Sequence, residues 1–111
     1  MKKIKSTGIE EVGVTHNFDI KKRMIITAGE FGNIMSFGRA LFAPSQSTSA
    51  HVHPDMTEVF FILSGKGVFH TKTENIEVEK DDCISIPPGE IHWQSNPFEK
   101  PLELLYFGVK I

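Results

Sequence analysis

The segment HVHPDMTEVFFILSG, residues 51–65, carries the clearest strand signal in the chain. Its central stretch, MTEVFFIL (56–63), is rich in β-branched and aromatic residues and ends at Ser64-Gly65, which is the composition and the boundary of a strand. Because side chains alternate between the two faces of a strand, Glu58, Phe60 and Ile62 share one face. The residues between them are all apolar, so the segment predicts a strand with an apolar outer face as well.

Short strand-like segments recur on both sides of this one, with turn signals about every 8–12 residues. No stretch shows helical periodicity over about 11 residues or more, and the start of the chain is weakly patterned. Regularly spaced short strands are typical of an all-β sandwich or barrel. The predicted strands begin near Met24 and continue over residues 34–43, 56–63, 67–71, 75–79, 83–86, 91–95 and 102–110.

The composition fits one globular domain of 111 residues, 40% apolar and 23% charged. A net charge of −2 argues against nucleic acid as a partner. No apolar run reaches about 18 residues, so no membrane-spanning helix is expected, and the lysine-rich start lacks the apolar stretch of a secretory signal. The single cysteine, Cys83, excludes an internal disulfide and is expected to be a small buried hydrophobe. Together these features favour a cytoplasmic protein.

Four residues with metal-ligating side chains stand out: His51, His53, Glu58 and His92. The two histidines at 51 and 53 would project to the same side of an extended chain. Glu58 lies an odd number of residues further on, so the chain must bend between them, and Pro54-Asp55 is a suitable place for the bend. His92 would arrive from a distant strand, just after the turn at residues 87–89.

Imidazole nitrogens with one carboxylate oxygen suit a divalent first-row transition metal. A structural zinc site would more often use cysteine and fill its coordination sphere. Three histidines and one glutamate would leave two positions of an octahedron open for water, substrate or dioxygen. Iron or manganese is the expected working metal if the chemistry uses oxygen, and zinc or nickel would also fit this ligand set.

Two motifs in this sequence resemble those of the cupin superfamily. HVHPDMTE (51–58), followed by six residues and Gly65, is similar to the first motif, and PPGEIHWQSN (87–96) is similar to the second, with Asn96 at its end. The glycines that usually open the two motifs are replaced by Ser45 and Asp81. Both positions lie in turns, so these replacements concern turn geometry and not the metal ligands.

The resemblance implies a single small jelly-roll β-barrel, of the type called the cupin 2 conserved barrel, within one domain spanning residues 1–111. The motif-bearing barrel would occupy about residues 34–109, and residues 1–33 would pack on the barrel or on a partner. The resemblance also implies a metal ion inside the barrel, held by His51, His53, Glu58 and His92.

A substrate pocket is expected beside the metal, because ligand sites are mostly apolar with a few polar anchors. Phe60 and Ile62 should line it, and Gln94 should face the metal from the same side of its strand as His92. Trp93 should face away. Arg39 has two interpretations: it pairs with a carboxylate of the chain, or it points into the barrel and binds a substrate carboxylate.

These features favour a metal-dependent enzyme on a small oxygenated or carboxylate substrate, with a dioxygenase as the leading hypothesis. Glu58 could serve as a base if it left the metal. The alternatives are a metal-dependent isomerase or lyase, a non-catalytic module that binds or senses a small molecule, and a metal with a mainly structural role. Cupins include enzymes of several classes as well as proteins that only bind small molecules, so the fold alone does not indicate which function this chain has.

The outer face of strand 56–63 and the strand LLYFGV near residue 105 would expose apolar side chains on a monomer. A two-fold homodimer would cover them, and the competing interpretation is that the N-terminal segment folds back over them. The two remaining histidines, His16 and His70, are expected to be surface or hydrogen-bonded residues with no part in the site.

Overall fold

The computed structural model describes residues 1–111 and contains nine strands and one short 3-10 turn, Ser6–Gly8. No helix in the chain has the length or apolar character needed to cross a bilayer. The strands are β1 (Val12–Val14), β2 (Asn17–Ile26), β3 (Ile34–Phe42), β4 (Met56–Ser64), β5 (Lys66–Thr71), β6 (Asn75–Glu79), β7 (Cys83–Ile86), β8 (His92–Ser95) and β9 (Leu102–Lys110).

The strands form two antiparallel sheets. The larger sheet has the order β1-β2-β3-β9-β4-β7, and the smaller has the order β6-β5-β8. Phe60 of the larger sheet meets Phe69 of the smaller one edge to face, with ring centroids 5.0 Å apart. Ten buried side chains fill the core, and five of them are fully or almost fully excluded from solvent: Ile20, Ile62, Val78, Leu102 and Leu104. The all-β jelly-roll prediction is confirmed.

The N-terminal part of the chain is more regular than its sequence suggests. The sequence predicts a strand only from Met24 onward, but β2 already begins at Asn17 and pairs with β3, and β1 pairs with β2. The strand was missed because charged residues interrupt its apolar pattern, and only Ile20 in it is buried. Residues 12–26 thus extend the larger sheet.

Ser45 and Asp81 take up the backbone conformation of the glycines that they replace. Their φ angles are 71° and 74°, in the left-handed region that favours glycine. Backbone hydrogen bonds hold both turns: Ser45 N–H donates to Asn96 O at 2.8 Å, and Asp81 N–H donates to Ile62 O at 2.9 Å. The turns therefore keep the motif geometry without glycine. Gly65 and Gly89 also have positive φ, as predicted.

Asn96, the last residue of the second motif, is completely buried and ties the end of β3 to the loop between β8 and β9. Its Nδ2 donates to Phe42 O at 3.1 Å and to Lys100 O at 2.8 Å, and its Oδ1 accepts from Phe98 N–H at 3.0 Å. Since Asn96 directly follows β8, this network fixes the end of the strand that carries His92.

Cys83 is exposed, so the prediction of a buried cysteine was wrong. It lies at the start of β7, which is the edge strand of the larger sheet, and pairs with the outward-facing Phe61. An edge position with an outward side chain leaves nothing to cover the thiol.

Candidate metal centre

The fold brings the four expected ligands together at one point between the sheets. His51 and His53 lie just before β4, Glu58 is on β4, and His92 begins β8. The backbone bends at Pro54-Asp55, as predicted, and His51 forms an antiparallel bridge with His92. Each residue offers one ligand atom, and these atoms lie within 4.8 Å of one another. The spacing of the two motifs therefore produces one compact cluster.

The distances within the cluster fit a common metal ion. Glu58 Oε1 lies 3.0 Å from His92 Nε2 and 3.2 Å from His53 Nε2. Two ligands at right angles around an ion, each about 2.1 Å from it, are themselves about 3.0 Å apart. Glu58 and His92 are 8% and 2% exposed, so the carboxylate and one imidazole meet away from water. The donor set thus suits a divalent first-row metal.

The outer ring nitrogens of two histidines are held by backbone carbonyls. His51 Nδ1 lies 2.7 Å from Ser49 O, and His92 Nδ1 lies 2.8 Å from Glu90 O. A carbonyl only accepts, so each Nδ1 carries the hydrogen. The Nε2 lone pairs of both rings are therefore free for a metal, an arrangement that is characteristic of metal-ligating histidines.

Burial and charge act differently on the histidines of the cluster. Burial lowers the pKa of His51 to about 4, and the positive charges of neighbouring imidazoles add to this effect. Burial also lowers the pKa of His92, but hydrogen bonds to Glu58 and to Glu90 O outweigh it and leave that pKa raised. Without a metal, His51 is thus neutral at pH 7, whereas His92 holds a proton more tightly than a free imidazole does.

A cavity of about 170 Å³ opens beside the cluster. Phe60 and Gln94 line it, as the sequence predicts, and Trp93 faces the opposite side of β8, stacked on His70. Its remaining walls come mainly from β1, β2, β3 and β9: Val14, Thr15, His16, Lys22, Met24, Ser36, Ala40, Phe42 and Tyr106, among others. The cavity therefore joins the metal ligands to the N-terminal strands.

Two residues expected in the pocket lie elsewhere. Ile62 is fully buried in the hydrophobic core and does not line the cavity. Arg39 points to the outer face of β3, where it donates to Glu103 at 2.8 Å and to Ser6 Oγ at 3.1 Å. Of its two interpretations, the pairing with a carboxylate of the chain is the one that the structure shows. The reason is the alternation of β3, which turns Ala40 to the cavity and Arg39 away from it.

Sequence reasoning did not assign His16 to the site. Its ring stacks on that of His51 with centroids 3.7 Å apart and lines the cavity. Burial, followed by the charge of His53, lowers the pKa of His16. His16 lies in the turn between β1 and β2, so only the pairing of β2 with β3 brings it to the site. No local motif could have revealed this contact.

Comparisons with known proteins agree with this geometry. The cupin domain model matches residues 38–108. The oxalate-binding protein of Thermotoga maritima is 32% identical over 69 residues, which is 62% of this chain and 57% of that protein. An uncharacterised protein of Methanocaldococcus jannaschii is 34% identical over 70 residues, or 63% of this chain and 56% of that one. This chain thus matches little more than half the length of these two relatives.

Solved structures show the same fold over nearly the whole chain. A protein of Thermotoga maritima, described as a predicted oxalate decarboxylase, superimposes with a TM-score of 0.89, 22% identity and coverage of 99% of this chain and 100% of that one. The polyketide cyclase RemF of Streptomyces resistomycificus gives a TM-score of 0.83 at 20% identity, covering 98% of this chain and 79% of that one. On its sequence motifs, its domain match and its fold, the chain belongs to the cupin family.

Proposed function

We propose that this protein holds one divalent first-row transition metal ion through His51, His53, Glu58 and His92 and uses it to bind a small oxygenated or carboxylate substrate. The observation that carries the proposal is the convergence of the four donors beside a partly enclosed cavity. The ion would supply charge and open coordination positions for substrate oxygen atoms. The chain supplies the cavity and the ligands.

The volume of the cavity limits the size of the substrate. A protein cavity of about 150 Å³ accommodates benzene, so about 170 Å³ holds a compound of similar size. This size is compatible with a compound as small as the one in the name of the oxalate-binding relative.

We further propose that the protein is an enzyme and that its reaction is an oxidation by dioxygen, with iron or manganese as the working metal. Zinc has no accessible second oxidation state and would not support that reaction. Glu58, the only carboxylate that lines the cavity, would be the base if it left the metal. A non-catalytic binding module and a metal-dependent isomerase or lyase are the competing functions.

Metal analysis of purified variants tests the site. His51→Ala and His92→Ala should each lose most of the metal, because each removes one of four donors. His70→Ala is the matched control, because that histidine lies on the outer face of the smaller sheet and should leave the metal content unchanged. Stoichiometric metal in both ligand variants would reject the assignment.

Oxygen consumption tests the reaction. Metal-free protein would be reconstituted separately with iron(II), manganese(II) and zinc(II) and supplied with small diketones, catechols and hydroxy acids. Oxygen uptake with iron or manganese and none with zinc supports the dioxygenase. Inactivity with all three removes it and leaves the competing functions. Equal turnover with zinc and iron would indicate Lewis-acid chemistry instead.

We also infer a two-fold homodimer. The outer face of the larger sheet carries apolar side chains on its three central strands, including Leu41 and Phe61, which are 43% and 39% exposed. The N-terminal segment contacts this face where Ser6 meets Arg39 on β3, but it leaves Leu41 and Phe61 exposed. A second copy of the chain would cover the rest.

A further inference from the structure

One buried polar atom of a residue that lines the cavity has no partner. Gln94 is 3% exposed and lines the cavity, and its Nε2 makes no hydrogen bond. Its other amide atom is fixed, because the Thr48 hydroxyl donates to Gln94 Oε1 at 3.1 Å while accepting from Gln94 N–H at 2.9 Å. A buried donor without a partner costs about 1–3 kcal/mol. This arrangement is therefore stabilised when a ligand in the cavity accepts the hydrogen bond.

A second donor faces the same cavity from the opposite sheet. The Tyr106 hydroxyl has one partner, Met24 Sδ at 3.3 Å, and a thioether is only a weak acceptor. Gly38 allows this position, since a Cβ there would lie 2.7 Å from the tyrosine hydroxyl and ring. Burial, with the charge of Glu58 in addition, raises the pKa of Tyr106 to about 12. The hydroxyl thus keeps its hydrogen at physiological pH.

The charges around the cavity select an anion. Lys22 lines the cavity and takes part in none of the ion pairs of the chain. Glu58 is the only carboxylate in the lining. Its single negative charge would not neutralise the positive charge of a divalent ion and Lys22 together. An anionic ligand would balance the remainder.

We propose that Gln94 Nε2 and the Tyr106 hydroxyl hold the oxygen atoms of the ligand that do not bind the metal, so that the ligand is a small carboxylate with at least one further oxygen acceptor, such as a 2-oxo acid or a dicarboxylate. This inference rests on the proposed metal site. The two neutral donors, one on each sheet, would recognise the oxygen atoms of the ligand. Lys22 would favour a ligand with negative charge.

The test uses cobalt(II)-loaded protein and two probes, oxalate and azide, titrated by the visible spectrum of the metal. Oxalate has oxygen acceptors beyond those that bind the metal, whereas azide has no oxygen. Gln94→Leu and Tyr106→Phe should each weaken oxalate binding by about tenfold or more and change azide binding less than twofold. Trp93→Phe is the control, because Trp93 lies on β8 facing away from the cavity.

The outcomes separate this inference from the proposed function. If the unaltered protein binds no cobalt, the metal site itself fails. If it binds cobalt and oxalate, but both variants bind oxalate as well as Trp93→Phe does, the two-donor inference is overturned and the metal site stands. Equal weakening of oxalate and azide would also overturn it, because that result indicates damage to the metal site. If Gln94→Leu does not fold, Tyr106→Phe alone tests the two-donor inference, because it removes only one hydroxyl group.

Discussion

His92 is the ligand at which protons compete most directly with a metal. Its pKa is raised by Glu58 and by the carbonyl of Glu90, despite its burial. A metal must displace that proton, so we expect affinity to fall as the pH drops through the raised pKa of His92 and to decline about tenfold per pH unit below that pKa. His51, with its pKa of about 4, adds a further proton only in more acidic solution.

Competition with a chromophoric chelator between pH 5 and pH 8 measures this dependence. Affinity that stays constant from pH 7 to pH 5 would contradict a site built on His92. The variant His70→Ala should follow the same curve as the unaltered protein, since the imidazole of His70 hydrogen-bonds to Asn75 and Ser95 and not to the cluster.

Ser45 and Asp81 hold a backbone conformation that costs a non-glycine residue about 1–2 kcal/mol. Neither of these two side chains makes a hydrogen bond; the turns are held by backbone hydrogen bonds and by the neighbouring side chains of Gln46 and Asp82. Replacement by glycine relieves the strain. It also gives the unfolded chain more conformational freedom, which lowers the free energy of unfolding by about 0.4–1 kcal/mol. We therefore expect Ser45→Gly and Asp81→Gly each to raise the free energy of unfolding by about 0.5 kcal/mol.

Urea denaturation measures the effect. Ser85→Gly, in the regular part of β7, is the control. The backbone of Ser85 is already extended, so glycine relieves no strain there and only adds freedom to the unfolded chain, which should lower stability. A loss of stability in both turn variants would show that the left-handed conformation at these positions is not strained.

At the scale of the element, His70 joins all three strands of the smaller sheet. From β5, its Nδ1 lies 2.6 Å from Asn75 Oδ1 of β6, its Nε2 lies 2.7 Å from Ser95 Oγ of β8, and its ring stacks on Trp93 at 5.1 Å. With hydrogen on Nδ1, the ring donates to Asn75 and accepts from Ser95. The expectation of a hydrogen-bonded histidine outside the site is confirmed.

We expect His70→Ala to lower the free energy of unfolding by about 2 kcal/mol, from two lost hydrogen bonds and one lost ring stack. Lys72→Ala, in the exposed hairpin turn next to it, should change stability by less than about 0.5 kcal/mol. Chemical denaturation compares the two, and equal stability of both variants would mean that the cross-strand contacts of His70 contribute nothing net.

For the whole molecule, the inferred dimer gives a matched pair of variants. Phe61 on the larger sheet and Ile76 on the smaller one are 39% and 40% exposed. We expect Phe61→Lys to yield a species of 12.5 kDa, because it places a charge within the proposed interface. Ile76→Lys should leave the dimer intact. Sedimentation at tens of micromolar checks both, and a 12.5 kDa species for the unaltered protein would reject the dimer.

The four residues of the candidate metal site could be singled out from the sequence because each motif is local and the chemistry of its residues is specific. His51, His53 and Glu58 lie within eight residues, so only the position of His92 depended on the fold. His16 and Tyr106 could not be predicted in the same way. They reach the cavity because β2, β3 and β9 are neighbours in one sheet, and no short-range pattern encodes that order.

The orientation of Arg39 could not be predicted either, because it too depends on which strands are neighbours in the sheet. Alternation along β3 was clear from the sequence, but which of the two faces turned inward was not, since Arg39 lies between apolar residues on both sides. Its pairing with Glu103 depends on the register of β3 against β9, where Arg39 lies opposite Leu105 and Glu103 is close by. A single-residue change in that register would have exchanged the two faces.

The position of β9 has a consequence for synthesis on the ribosome. Residues 102–110 lie between β3 and β4, in the middle of the larger sheet, although they are made long after both neighbours. Until β9 leaves the exit tunnel, the nascent chain carries two strands with unpaired edges and apolar sides, and such edges promote association with other chains. β9, which is made after the two strands that it joins, thus completes the sheet, and molecular chaperones would bind the nascent chain until β9 has paired with them.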